Sequence, residues 1–302
     1  MTKTIGEVID EYRENNHYSV KRLTENIISY AAYYRFVHDN ASISTVRFLA
    51  LLERLDVSID EINASMDNDY ISSNQFISSY LHICTGDRFN DAGLKVLHDL
   101  VRKRYEATKS TRCLHYLWIT QCSLDRWHQT TARYQEDILN FFNSRVKWSE
   151  ANLVLFALIS TSLPFLFISR SFEKISKQFI QNLSSRQVEE AFFRFLINTC
   201  LQCINHQSLF LFKKASDQLA HLVSVNGSLS ISVYRQFIID LALWEQNPSR
   251  FTQAHFITAA NLLKSLHQGL LANQLLTYTD AFEESVINNH SRIISKPFIL
   301  VL

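Results

Sequence analysis

Ser19-Val20-Lys21-Arg22-Leu23-Thr24-Glu25, a break of three residues, then Ser29-Tyr30-Ala31-Ala32-Tyr33-Tyr34-Arg35-Phe36-Val37 is the stretch on which the fold turns. A serine just ahead of a helical run accepts a hydrogen bond from an unsatisfied N–H of the first turn, so Ser19 and Ser29 read as N-caps. The result is two short helices joined by a tight turn, a helix-turn-helix pattern. Such a unit lays its second helix in the major groove of DNA while the first crosses the backbone. Candidate contact residues are Lys21 and Arg22 on the first helix, and Ser29, Tyr30, Ala31, Ala32, Tyr34 and Arg35 on the second.

Outward from this stretch the same punctuation continues. Ile5, Val8, Ile9 and Tyr12 mark one face of a helix over residues 5–15. Ser44 caps a fourth helix, with Val46, Phe48, Leu49, Leu51, Leu52 and Leu55 as its apolar side. Ser58-Ile59-Asp60-Glu61 is a capping box opening a fifth. Five helices predict a compact bundle over residues 1–66, and the polar run Ala64 to Asp69 marks a linker into a second domain, 67–302.

That second domain has a longer rhythm. Apolar residues at three- and four-residue spacings predict helices near 70–84, 88–108, 111–126, 131–144, 149–160, 164–183, 186–205, 208–225, 229–246, 252–267 and 270–288. Helix pairs recur about every 40 residues, the signature of stacked helical hairpins in a tetratricopeptide-like superhelix, although the tetratricopeptide consensus is absent. Gly86, Pro164, Gly227, Pro248 and Gly269 fall at the breaks. With only five Gly and three Pro in 302 residues, few turns are available for sheets, and the fold class is all-α.

The composition excludes several function classes. Net charge is +1, with no overall polyanion-binding signal. The head holds seven Lys/Arg against ten Asp/Glu, a balance of −3, so any DNA contact must use a locally basic face. Cys84, Cys113, Cys122, Cys200 and Cys203 are odd in number and lack framework spacing, which points to a reducing compartment. Together with an amino terminus lacking an apolar h-region, this gives a cytoplasmic expectation. Residues 151–169 carry no charge and reach the length of a membrane span, but Ser160-Thr161-Ser162 and Pro164 read as a helix end and a new start. Two buried helices, and no membrane, are expected.

No catalytic constellation is visible. The eleven histidines are scattered, and no phosphate-loop, dinucleotide or nucleophile-elbow pattern occurs. His82 and His98 are expected as surface or packed residues. Cys200-x-x-Cys203 has no second pair to complete a zinc site and reads as two buried thiols. No metal, cofactor or enzyme activity is expected. Phe192, Phe193, Phe195, Leu209, Phe210, Leu211 and Phe212 read as core or interface. Arg102-Lys103-Arg104 with Lys109 and Arg112 reads as a solvated helix end, with a DNA-backbone contact as the alternative.

The run from Arg35-Phe36-Val37-His38-Asp39-Asn40 through Phe48-Leu49-Ala50-Leu51-Leu52 to Ser58-Ile59-Asp60-Glu61-Ile62 resembles the Xre-type head of the Rgg/GadR/MutR regulators. Trp148 to Phe156 and Leu196 to Ile204 are similar to body segments of the same family. Val37, His38, Asp39 and Asn40 stand where that family has Glu-Arg-Gly-Glu, which is expected to weaken a phosphate contact and the tight turn. The resemblance implies a dimeric transcription regulator of operator DNA whose helical-repeat body binds a short signalling peptide on its concave face. The alternative is an interaction scaffold whose head no longer binds DNA.

An extended peptide leaves backbone donors and acceptors that a groove must satisfy, and amide side chains offer both. Asn152, Asn198 and Gln202 stand on otherwise apolar helices, and Arg145 and Arg235 would add charge for a carboxylate. These five are the candidate peptide contacts. Leu262, Leu263, Leu266, Leu270, Leu271, Leu275 and Leu276 make residues 252–302 the candidate homodimer interface.

Overall fold

A computed structural model describes residues 3–66, 71–85, 90–180, 185–226, 229–246 and 253–265, with positions 269, 272, 273, 275, 276, 279 and 280 beyond them. Among these residues there are α-helices and one 3-10 turn, and no strand. Contacts divide the chain into two compact units, 1–78 and 79–302.

The first unit opens with α1 (Ile5–Asn15), α2 (Val20–Thr24), α3 (Tyr30–His38), α4 (Thr45–Leu55) and α5 (Ile59–Met66). Each expected cap forms. Ser19, Ser29 and Ser44 accept from the backbone N–H of Arg22, Ala32 and Arg47, at 3.2, 3.3 and 3.4 Å. Ser58 and Glu61 exchange the two bonds of a capping box, at 2.8 and 3.2 Å. Thr4 and Glu7 form another that the sequence reading passed over. The core is Val8 and Ile9 of α1, Leu23, Ile28, Tyr33, Phe36 and Val37 around the α2–α3 turn, Leu51, Leu52 and Leu55 of α4, and Ile62 of α5.

One expectation needs correcting. Val46 is 78% exposed and Leu49 is also exposed, so they are not part of the core side of α4. At 3.6 residues per turn the buried stripe of this helix is Phe48, Leu51, Leu52 and Leu55, and Val46 and Leu49 lie off it.

The scarcity of glycine has a structural counterpart. His17, Asn26, Asn40, Asp56, Lys109, Gln129 and Gln207 all take positive φ, between 51° and 61°. They do the work usually given to a left-handed glycine at a helix end, which costs a non-glycine residue about 1 kcal/mol and is tolerated best by Asn and Asp. Asn40, at φ 51°, closes the turn after α3 in this way.

The second unit continues from α6 (Ser73–Thr85), within which the division falls, through α7 (Asp91–Thr108), α8 (Thr111–His128), α9 (Gln135–Asn143), α10 (Glu150–Ile159), α11 (Phe165–Phe179), α12 (Arg186–Asn205), α13 (Leu209–Asn226), α14 (Leu229–Gln246) and α15 (Gln253–Ser265). Sequential helices pack in pairs, α7 on α8 and α12 on α13, and α10 lies against α12. This is the stacked-hairpin architecture of helical-repeat proteins. Leu153, Leu155, Phe156, Ala157, Leu158 and Ile159 of α10 are all buried, which accounts for the uncharged run. The 3-10 turn Ser160–Ser162 and Pro164 separate α10 from α11, and no described helix is long and apolar enough to cross a membrane.

Phe192, Phe193 and Phe195 are wholly buried on α12, whereas Leu209 and Phe210 are exposed at the start of α13. Cys200 and Cys203 are buried beside them, and burial pushes the Cys203 thiol up to about 12. His98 is packed, its Nδ1 3.0 Å from the Thr120 hydroxyl. Arg102 pairs with Asp99 at 3.0 Å on the surface of α7. Of the candidate interface leucines, Leu262 is exposed, Leu263 and Leu275 are buried and Leu276 is half-buried. Leu266, Leu270 and Leu271, like most of the helix expected over 270–288, lie outside the described residues.

Candidate functional site

The α2–α3 unit is held from two sides. Gly6 of α1 lets that helix approach α3 closely: a Cβ there would lie 2.2 Å from the Phe36 carbonyl oxygen. Beside it Arg13 grips the Asp10 carboxylate with two N–H groups, at 2.6 and 3.1 Å, and donates a third bond to the Tyr18 carbonyl at 2.9 Å. The Tyr33 hydroxyl of α3 donates to the same Asp10 at 2.8 Å. Burial works to raise the Asp10 carboxyl, but the bonds from Arg13 and Tyr33 outweigh it and hold the group below its ordinary value. Burial and the adjacent carboxylate push the Tyr33 phenol up.

From the other side, Arg54 of α4 reaches the end of α2. Its Nη1 donates to the carbonyls of Arg22, Leu23 and Glu25, at 3.2, 3.0 and 2.6 Å. A helix C-terminus leaves such carbonyls without partners, and a cation there also suits the helix dipole. Sequence reasoning missed Arg54, whose partners lie about 30 residues away. It also missed Asp10, Arg13 and Tyr33, although the three-residue spacing of Asp10 and Arg13 on one helix face was visible.

The outward face of this unit carries most of the candidate DNA contacts. Lys21 and Arg22 are exposed on α2, the Arg22 guanidinium lying 4.1 Å from the centre of the Tyr18 ring. Tyr30 and Tyr34 are 65% and 52% exposed on α3, and Ala31, Arg35 and His38 are exposed with them. Tyr34 packs on the His38 ring at 4.3 Å. The Arg35 Nε reaches the Ala31 carbonyl at 3.4 Å. Two candidates sit differently: the Ser29 hydroxyl is occupied as the α3 cap, and Ala32 packs against the head core.

In the second unit, Asn198 and Gln202 come together. Both are buried, one turn apart on α12, and clasp the end of α10 and the turn that follows it. Asn198 Nδ2 donates to the Ala157 carbonyl at 2.9 Å and to the Ser160 hydroxyl at 3.1 Å, and Gln202 Nε2 donates to the Thr161 carbonyl at 3.1 Å. Asn152 stands at the other end of α10, where it forms a capping box with Ser149. Arg145 is exposed after α9, its guanidinium 4.7 Å from the centre of the Phe141 ring. Arg235 is half-buried on α14, its Nε without a hydrogen-bond partner among the described residues.

Gln202 also lines a cleft of about 700 Å³ between the ends of α8 and α12, the start of α9, the 3-10 turn and the start of α11. Asp125, Thr130, Asn205, Phe165 and His206 line it too. His206 stacks on Phe165 at 4.5 Å. The Asn205 Oδ1 is buried and unpartnered among the described residues, while Asp125 accepts from Gln121, Thr130 and the Arg133 backbone. No group of three or more His, Cys, Asp or Glu able to hold a metal ion occurs among the described residues.

A five-helix head containing a helix-turn-helix, followed by stacked helix pairs, is the fold of the Rgg-, PrgX- and ComR-type regulators. Three solved structures show the likeness. A Listeria monocytogenes protein assigned as a transcriptional regulator matches 96% of this chain and 99% of its own, at 15% identity and a TM-score of 0.68. The SHP pheromone receptor Rgg2 of Streptococcus dysgalactiae matches 92% and 99%, at 14% identity and a TM-score of 0.64. ComR of S. thermophilus, in complex with DNA and its signalling peptide ComS, matches 92% and 99%, at 15% identity and a TM-score of 0.58. The likeness is one of fold, and it is the fold that the Rgg/GadR/MutR resemblance implied. No protein-family model and no curated protein matches the sequence.

Proposed function

We propose that this chain is a transcription regulator that binds operator DNA through α2 and α3 and senses a short signalling peptide in its helical-repeat body. The observation that carries the reading is the outward face of α3. Five side chains stand clear of the core there, with Lys21 and Arg22 beside them on α2, on a fold shared along 92% of the chain with a regulator solved on DNA. Residues 1–66 form the DNA-binding head. Residues 67–302 bind peptide and make the homodimer, which would pair two heads on a two-fold site. It is not an enzyme, and it works in the cytoplasm.

The peptide contacts are assigned to Arg145, Asn152, Asn198, Gln202 and Arg235. Gln202 is the best placed of them, at a cleft within the usual range for a ligand pocket. The buried, unpartnered Asn205 oxygen in that cleft suits a backbone N–H of an extended peptide.

The test is binding of the full chain to duplex DNA from upstream of its own gene, at 50 and 200 mM salt, with and without candidate peptides. Six to ten phosphate contacts predict a loss of about 10³–10⁵ in affinity between the two. No binding at the lower salt would leave the scaffold reading in its place. A peptide that binds without altering DNA affinity would remove the sensing role.

A further inference from the structure

Base pairs are told apart in the major groove by few chemistries. Arg and Lys suit guanine, Asn and Gln suit adenine, carboxylates suit cytosine, and apolar groups suit the thymine methyl. The exposed face of α3 is Tyr30, Ala31, Tyr34, Arg35 and His38. It carries no amide and no carboxylate, so neither adenine nor cytosine has its usual side-chain partner on this helix.

What it does carry is apolar surface. Tyr30 and Tyr34 lie one turn apart with the Ala31 methyl next to them, on the amino-terminal half of α3 that meets base edges in this docking mode. Packing on His38 at 4.3 Å holds the Tyr34 ring in place. Arg35 follows as the one guanidinium on the helix, its Nε directed to the Ala31 carbonyl.

Resting on the DNA-binding reading above, we infer that the head selects its site by thymine C5-methyl groups. Ala31 and the rings of Tyr30 and Tyr34 contact them, and Arg35 reads an adjacent guanine. The operator half-site is therefore thymine-rich where α3 enters the groove.

The experiment begins with selection by the full chain from a duplex pool randomised over about 20 base pairs, enough for two half-sites one helical turn apart. The enriched duplex is then made with deoxyuridine for thymidine, which removes only the C5 methyl. Each lost contact should weaken binding about fourfold, and one in each of two half-sites about fifteenfold. Ala31→Ser and Tyr34→Ala should bring the thymidine-to-deoxyuridine ratio towards one at the positions they contact. Ala31→Ser keeps the helix surface and so controls for misfolding. Equal binding of both duplexes overturns the inference while leaving DNA binding intact. A ratio unchanged in both variants also overturns it, because the methyl then acts through duplex stiffness. Duplexes retained without any enriched sequence also overturn the inference, whereas a pool from which the chain retains no duplex at 50 mM salt overturns the DNA-binding reading itself.

Discussion

Gly6→Ala is predicted to loosen the recognition helix without touching its exposed face. The new Cβ would lie 2.2 Å from the Phe36 carbonyl oxygen, 2.8 Å from the Val37 Cα and 2.9 Å from the Phe36 carbonyl carbon. Carbon and carbonyl oxygen ordinarily approach to about 3.3 Å, so α1 and α3 must part by about 1 Å. All three atoms are α3 backbone, and no rotamer change relieves the clash. Overpacking of this kind costs about 1–3 kcal/mol, and the upper end applies where the backbone must move. Alanine returns about 1 kcal/mol of helix propensity. The net loss is about 2 kcal/mol in the head, or about thirtyfold faster exchange of α3 amides in native-state hydrogen exchange. The tryptophans, Trp118, Trp127, Trp148 and Trp244, all lie outside the head, so exchange resolves it where fluorescence would not. Gly93→Ala is the control, since the three atoms nearest its methyl all belong to the Asn90 side chain, the first at 2.7 Å, and not to the backbone of another helix. Exchange of α3 in Gly6→Ala within twofold of the parent would refute the reasoning.

Arg54→Met removes three bonds to the end of α2 and should cost the head about 1.5 kcal/mol, seen by the same exchange measurement as faster α2 exchange. His115 is held down to about 4 by burial and then by the Arg145 charge. As pH falls from about 6.5 to about 4 the unfolded chain takes up this proton first, so up to about 3 kcal/mol of body stability is lost across that window. His115→Leu should flatten that part of the profile in urea titrations followed by tryptophan fluorescence at pH 7 and 4.5. Asn198→Ala should lower body stability by about 2 kcal/mol in the same titration, since Ala157 and Ser160 lose their donor. Asn152→Ala should cost about 1 kcal/mol through its cap. Calorimetry of the two folded variants with a peptide that binds the parent separates positions that contact peptide from those that only hold helices.

The fold was legible because its signals are local. Ser19, Ser29, Ser44 and Ser58 announce helix starts within three residues of the N–H groups they cap. Ser160 to Pro164 breaks an apolar run wherever it stands in the chain. On α3 the candidates Tyr30, Ala31, Tyr34 and Arg35 are exposed, whereas Ala32 packs on the core and His38, exposed beside them, was not among the candidates. Val46 and Leu49 misled because hydrophobicity was counted along α4 rather than by angle around it. The supports of the site were hidden for another reason. Arg54, Gly6 and the Tyr33–Asp10 bond act across 23 to 32 residues or on backbone atoms, and one sequence carries no mark of such pairings. The body amides show the same limit from the other side. Asn152 and Asn198 stand out as polar residues on apolar helices, yet their hydrogen-bond partners are a local cap and the end of a neighbouring helix.

The most direct test of the account is the slope of log affinity against log salt for the upstream duplex, measured on the parent chain and on Lys21→Ala with Arg22→Ala. Each phosphate contact adds about 0.9 to the slope on duplex DNA. The account predicts a steep parent slope, and a double variant that binds all sequences more weakly with a slope shallower by about two. A parent that fails to bind at 50 mM salt, or a double variant with the parent's slope and affinity, would contradict it.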